Sequence, residues 1–87
     1  MRIYVGNLSE KITDAQLHDL ALPFGKPDSA NIARELPSGT SKGFGFVEFR
    51  KAEEAHAAIS GLNGKKVHGQ VLNVIEATEL NTRLWRR

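Results

Sequence analysis

Cysteine is absent from this 87-residue chain. That excludes a disulfide framework and any cysteine-ligated metal, and it fits a reducing compartment. Long hydrophobic runs are missing too. Ile3-Tyr4-Val5 is interrupted by Gly6-Asn7, which is not the apolar run of a signal peptide, and no stretch approaches the length of a membrane span. The expectation is a soluble, cytoplasmic protein with no membrane partner. Charge of one sign is scarce. The net charge is +2, and Arg83, Arg86 and Arg87 against Glu79 account for all of it, so residues 1–77 hold nine basic and nine acidic groups. A neutral domain is not a generic polycation binder. His18, His56 and His68 lack metal-ligand spacing, and no nucleophile–base set is visible. The expectation is therefore no cofactor, no metal and no enzyme.

What the chain does have is Lys42-Gly43-Phe44-Gly45-Phe46-Val47-Glu48-Phe49. Read at period 2, Lys42, Phe44, Phe46 and Glu48 point to one side, and Gly43, Gly45, Val47 and Phe49 to the other. The aromatic and β-branched content favours a strand. Both faces carry large apolar groups, so periodicity alone allows burial on both. If Val47 and Phe49 fill a core, Phe44 and Phe46 stand on the opposite face. Exposed rings invite aggregation unless a partner lies flat on them. Gly43-x-Gly45 is inside a strand and opens no helix, so it is not a phosphate loop.

The rest of the chain decides between these readings. Arg2 to Gly6 reads as a strand with Ile3 and Val5 on one face and Arg2 and Tyr4 on the other. Gly6-Asn7-Leu8-Ser9 is turn chemistry, with Leu8 returning to the core. Thr13-Asp14-Ala15-Gln16 is a capping box. Behind it Leu17, Leu20, Ala21 and Phe24 form a helical stripe, and Pro23 ends the helix near Leu22. Asp28 to Glu35 is a weaker strand, with Ala30 and Ile32 on one side and Asn31, Ala33 and Glu35 on the other. Pro27 suits an edge position. A loop from Leu36 to Ser41 leads into the central strand. Lys51 to Leu62 is a second helix with an Ala55, Ala58, Ile59, Leu62 stripe, weakly capped at its start. Asn63-Gly64 ends it. Lys65 to Gly69 reads as a short extended or hairpin segment, and Gln70 to Glu76 as the last strand, with Leu72 and Val74 inward and Asn73 and Ile75 outward.

The order is β-α-β-β-α-β, an α+β class split βαβ, or ferredoxin-like, sandwich. Right-handed crossovers leave the first and third strands as the central pair of a four-stranded antiparallel sheet, with both helices on one face. Ile3, Val5, Val47, Phe49, Leu72 and Val74 lie under the helices. Tyr4, Phe44 and Phe46 share the other face.

These residues resemble the RNA recognition motif family. Lys42 to Phe49 fits every position of the family's octamer signature. Ile3-Tyr4-Val5-Gly6-Asn7-Leu8 is similar to its hexamer, and Phe24-Gly25, the Gly39 loop and Asn63-Gly64 also fit. The resemblance covers residues 2 to 77. It implies a domain over residues 1–77 with a basic tail over residues 78–87. It also implies binding of single-stranded RNA, with bases stacking on Tyr4 and Phe44. Phe46 would insert between sugars or beside a base, and Lys42 would contact a phosphate. Arg2, Asn31 and Asn73 are candidates for reading base edges, each with the plain alternative of a solvated strand residue. Two positions depart from the pattern: Ala21 stands where an aromatic is frequent, and Pro27 replaces a β-branched residue. Neither touches the binding face. The small size resembles the single-domain members found in bacteria and plastids.

Two other functions compete. A protein-binding module on this fold is disfavoured by the intact octamer, although the helices or tail offer a surface for a protein partner. An acylphosphatase-like enzyme needs an arginine in the loop after the first strand, and Gly6 to Lys11 contains none. The expected state is a monomer. Single-stranded DNA remains an alternative ligand, and the Leu80, Leu84 and Trp85 tail is either frayed or docked on the sheet.

Overall fold

A computed structural model describes residues 1–35 and 38–77, without the Lys42 side chain. The expectations for Lys42 and for the Trp85 tail therefore lie outside the described residues. The elements are β1 (Arg2–Gly6), α1 (Asp14–Ala21) continued by a 3-10 turn (Leu22–Phe24), β2 (Pro27–Arg34), β3 (Ser41–Phe49), α2 (Ala52–Leu62), β4 (Lys66–Val67), β5 (Gln70–Val71) and β6 (Asn73–Glu76). The main sheet runs β2-β3-β1-β6, antiparallel at every pairing. The central β1–β3 pair is the one that right-handed crossovers require.

Local chemistry sets the helix ends. Thr13 Oγ1 accepts the Gln16 N–H at 3.2 Å, and Gln16 Oε1 accepts the Thr13 N–H at 3.0 Å. This reciprocal cap satisfies two donors that helix geometry leaves without partners. Pro23 ends the α-helical hydrogen bonding, and the chain tightens into the 3-10 turn. α2 starts at Ala52, and Lys51 before it supplies no side-chain cap, as the sequence leads one to expect. Phe24 packs its ring against Gly61 of α2, where any side chain would occupy the ring's place.

The core lies between the helices and one sheet face. Ile3, Val5, Leu17, Ala21, Val47, Phe49, Ala55, Ala58 and Leu62 are fully buried, and Leu72 and Val74 nearly so. Full burial of a large apolar side chain contributes about 1.5–3 kcal/mol. Gly45 belongs to this face: a Cβ there would stand 2.6 Å from the Asn31 carbonyl oxygen and 3.0 Å from Leu17 Cδ2. The glycine lets α1 and the β2 backbone close over β3.

One reading of the sequence needs correction. The last strand does not run unbroken from Gln70. Val67 and Gln70 pair in a separate hairpin, turned by His68 and Gly69 at φ 51° and 79°. Positive φ at both turn residues is the type I′ requirement. Leu72 breaks the run by donating its N–H to the Lys65 carbonyl at 2.9 Å while its side chain enters the core. Ile12, absent from the helical stripe, is buried. His18 on α1 is half-buried. The β2 edge carries a device that the sequence did not reveal. Asp14 Oδ1 accepts the Ile32 N–H at 2.7 Å and lies 3.6 Å from Arg34 Nη2. A side chain from α1 thus satisfies one edge-strand donor that would otherwise stand open to another chain.

Candidate nucleic-acid interface

The sheet face away from the helices is a grid whose columns are strands. Its middle row is Asn31, Phe46, Tyr4 and Ile75, each directly opposite the next. One adjoining row is Phe44, Gly6 and Asn73. The other is Ser29, Glu48 and Arg2. Two of the candidate base readers, Asn31 and Asn73, stand on the flanking strands as exposed residues. The aromatic residues stand on the central pair and are half-buried. The octamer is therefore not buried on both faces, in line with the strand order. Among the described residues, no element packs across this side.

The three rings form one cluster. Tyr4 and Phe44 have centroids 5.6 Å apart at an interplanar angle of 37°. Phe46 lies 6.0 Å from each, edge-on, at 63° to Tyr4 and 89° to Phe44. Separations of this size fall in the favourable range for aromatic pairs. Tyr4 and Phe44 therefore present faces at a shallow angle to each other, while Phe46 stands across them.

Gly6 explains where the Tyr4 ring sits. A Cβ at Gly6 would stand 2.6 Å from Tyr4 Cε2 and 2.7 Å from Cζ, and would also collide with Oη. The Tyr4 ring leans along its own strand and covers the Gly6 backbone. It thereby reaches the side of Phe44, the residue opposite Gly6. Partial burial raises the Tyr4 phenol above its ordinary pKa, because desolvation disfavours the phenolate. The ring stays neutral at physiological pH and offers RNA no added negative charge.

Arg2 is held in place rather than free in solvent. Its Cζ lies 5.6 Å from the Phe46 ring centroid, within cation–π range. Its Nε is 3.6 Å from Glu48 Oε1. A planar guanidinium thus extends the aromatic row at the Phe46 end, and Glu48 orients it. Sequence reasoning missed Glu48, Gly6 and Ile75. Ile75 is 42% exposed beside Tyr4, and its outward parity was the available signal. Cross-strand register, needed to see the Arg2–Glu48 pair, is not written in either strand alone. The histidines show no convergence: His18 is on α1, His56 is exposed on α2 and His68 is in the hairpin turn.

Residues 3–73 match the RNA recognition motif family. The chain belongs to that family. Polyadenylate-binding protein 4 of Arabidopsis thaliana is 45% identical over 74 residues, which are 85% of this chain and 11% of that protein. The chain spans 11 to 22% of the length of four such curated relatives. A crystal structure of RNA-binding protein PG1 superposes with a TM-score of 0.87 at 38% identity, covering 91% of this chain and 95% of that one. The Sxl-lethal protein/RNA complex superposes at 0.81 with 40% identity, covering 87% and 47%. The RNA recognition motif accounts for the order of elements, the uncovered sheet face and the aromatic cluster on it. No helix among the described residues is long and apolar enough to cross a membrane.

Proposed function

We propose that this chain binds single-stranded RNA by stacking bases on Tyr4 and Phe44. In this reading Phe46 packs beside a base or sugar, and Lys42 contacts the backbone. Arg2, Asn31 and Asn73 read base edges around the rings. The binding unit is residues 1–77, and the tail of residues 78–87 adds arginine contacts to phosphates. One observation carries this reading: three rings gathered within 5.6–6.0 Å of one another on a face that the described helices leave open. Every base has a flat face, and each stacking contact contributes about 1–3 kcal/mol. A single strand can splay its bases onto such a surface, whereas duplex bases are already stacked. The solved complex of a similar protein with RNA supports the ligand class.

The test is a titration with short RNA oligomers watched at the backbone amides. Resonances of β1 and β3 should shift, and those of the outer faces of α1 and α2 should not. Shifts confined to the helices would overturn the sheet face as the RNA site, and no shifts at all would favour a protein-docking role.

A further inference from the structure

Beside the aromatic cluster lies a second feature that stacking does not use. An open groove of about 530 Å³ runs along the loop after β1, with Ser41 and Gly43 of β3 and Gln70 of β5 on its other walls. A volume of this order suits a small ligand or one nucleotide unit. The groove adjoins the rings at two points. Asn7 follows Gly6, over which Tyr4 lies, and Gly43 precedes Phe44. A backbone bond from Leu8 N–H to the Gly43 carbonyl, 2.8 Å long, locks the two walls together.

The lining is built and polar. Asn7 has φ 61°, a left-handed conformation that asparagine tolerates. It turns Leu8 into the core while its own amide donates to the Val71 carbonyl at 2.7 Å. Gln70 Nε2 donates to Asn7 Oδ1 at 3.2 Å. This fixes the amide plane of Gln70, whose Oε1 accepts no hydrogen bond from any described residue. Ser9 and Ser41 each accept one backbone N–H, from Lys11 at 3.2 Å and Gly43 at 3.1 Å. Each hydroxyl keeps its own proton to donate. Glu10 and Lys11 on the rim carry opposite charges. Among the neutral lining groups, Gln70 offers an open acceptor and the two serine hydroxyls offer donors.

We infer that this groove takes the ribose of the nucleotide next to the base stacked on Phe44, and that it reads the sugar's 2′-hydroxyl. That hydroxyl is both donor and acceptor, and it is what distinguishes RNA from DNA. It donates to Gln70 Oε1 and accepts from Ser41 or Ser9. The inference rests on the stacking function above and supplies what stacking lacks, since an aromatic ring holds ribonucleotide and deoxyribonucleotide bases alike.

The experiment uses the full chain and an RNA octamer selected from a random pool. It adds the all-2′-deoxy copy and the series carrying a single 2′-deoxy position. One deoxy position should weaken binding by roughly 3-fold or more, the effect of losing one to two hydrogen bonds. In Gln70→Ala that penalty should fall by half or more, with affinity for the deoxy copy unchanged. Ser41→Ala, which leaves the Asn7–Gln70 bond intact, should halve the penalty or more, and it decides the matter if Gln70→Ala unsettles the loop. Equal affinity of the parent for RNA and its deoxy copy overturns the inference. So does a penalty that both variants retain, or an equal loss of RNA and DNA affinity in either one. Failure of stacking looks different: no sequence is selected, or Phe44→Ala binds RNA as the parent does.

Discussion

Gly6→Ala is the sharpest test of how the binding face is arranged. Gly6 is not in the left-handed region, so alanine fits the backbone. The added Cβ would stand 2.6–2.7 Å from Tyr4 ring carbons, whereas a relaxed carbon–carbon contact is about 3.5–4.0 Å. The ring must therefore shift by about 1 Å. Swinging a side chain off its rotamer costs about 0.5–1.5 kcal/mol. Alanine in place of glycine within a strand returns about 0.5–1 kcal/mol. The two nearly cancel, so the thermal midpoint should move by only a few degrees, as expected for about 1 kcal/mol in a small domain. RNA binding should respond quite differently. A displaced Tyr4 ring no longer lies beside Phe44 at a shallow angle, and the loss approaches one stacked base, about 1–3 kcal/mol.

The assay is a double-mutant cycle with Tyr4→Ala, read by RNA affinity. If Gly6→Ala acts through the ring, adding it to Tyr4→Ala should cost nothing more. Full additivity would mean that Gly6 touches RNA directly. Unchanged affinity in the single variant, with the fold intact, would remove Tyr4 from the stacking surface. A large fall in stability would show that the Gly6 position belongs to the core instead.

Other substitutions probe the two faces. Phe44→Ala should leave stability nearly intact and weaken RNA binding by about 1–3 kcal/mol, whereas fully buried Phe49→Ala should cost about 3–5 kcal/mol of stability; thermal unfolding and RNA titration of both check the assignment. Gly61→Ala should destabilise the fold although alanine is the better helix former, because the Phe24 ring occupies the space beside Gly61, and denaturant melts would contradict this if the midpoint rose. The raised Tyr4 phenol means that the unfolded state loses its proton first, so stability should be flat up to about pH 10 and fall above it; Tyr4→Phe should abolish that component. Affinity should fall gently with salt, with a log–log slope of roughly −1.5 to −3 for two to four phosphates neutralised, and removing residues 79–87, which hold three arginines, should flatten it; a steep slope in Phe44→Ala with affinity retained would make phosphate attraction the main source of binding.

Much of this was legible in the chain because period 2 and period 3.6 are local signals. The octamer alone splits Phe44 and Phe46 from Val47 and Phe49, and the helix stripes name the helical side of the core, Leu17, Ala21, Ala55, Ala58 and Leu62. Thr13 and Gln16 announce their helix start. What stayed hidden depends on pairing between distant segments. The register that sets Arg2 opposite Glu48 is fixed by the whole sheet. The alternating pattern continues through Leu72 and so places Gln70 in the last strand. Only the Lys65–Leu72 bond shows that the chain changes partners there. Ile12 lies in a loop, where no periodicity applies. The Tyr4–Gly6 contact is between same-face neighbours two residues apart, yet glycine has no side chain with which to signal it.

The same geometry addresses a liability. Exposed aromatic rings on a sheet are a predicted association site. In this sheet the rings pack against one another, and Arg2 stands over Phe46. Each ring is thereby partly shielded from solvent. They are also confined before any base arrives, by Gly6 beneath Tyr4 and by mutual edge contacts. Ordering a side chain on binding costs about 0.5–1.5 kcal/mol, and a pre-set cluster avoids much of that cost. Exposure and preorganisation therefore come from one arrangement. A residue that touches no base, such as Gly6 or Glu48, can then matter to affinity as much as one that does.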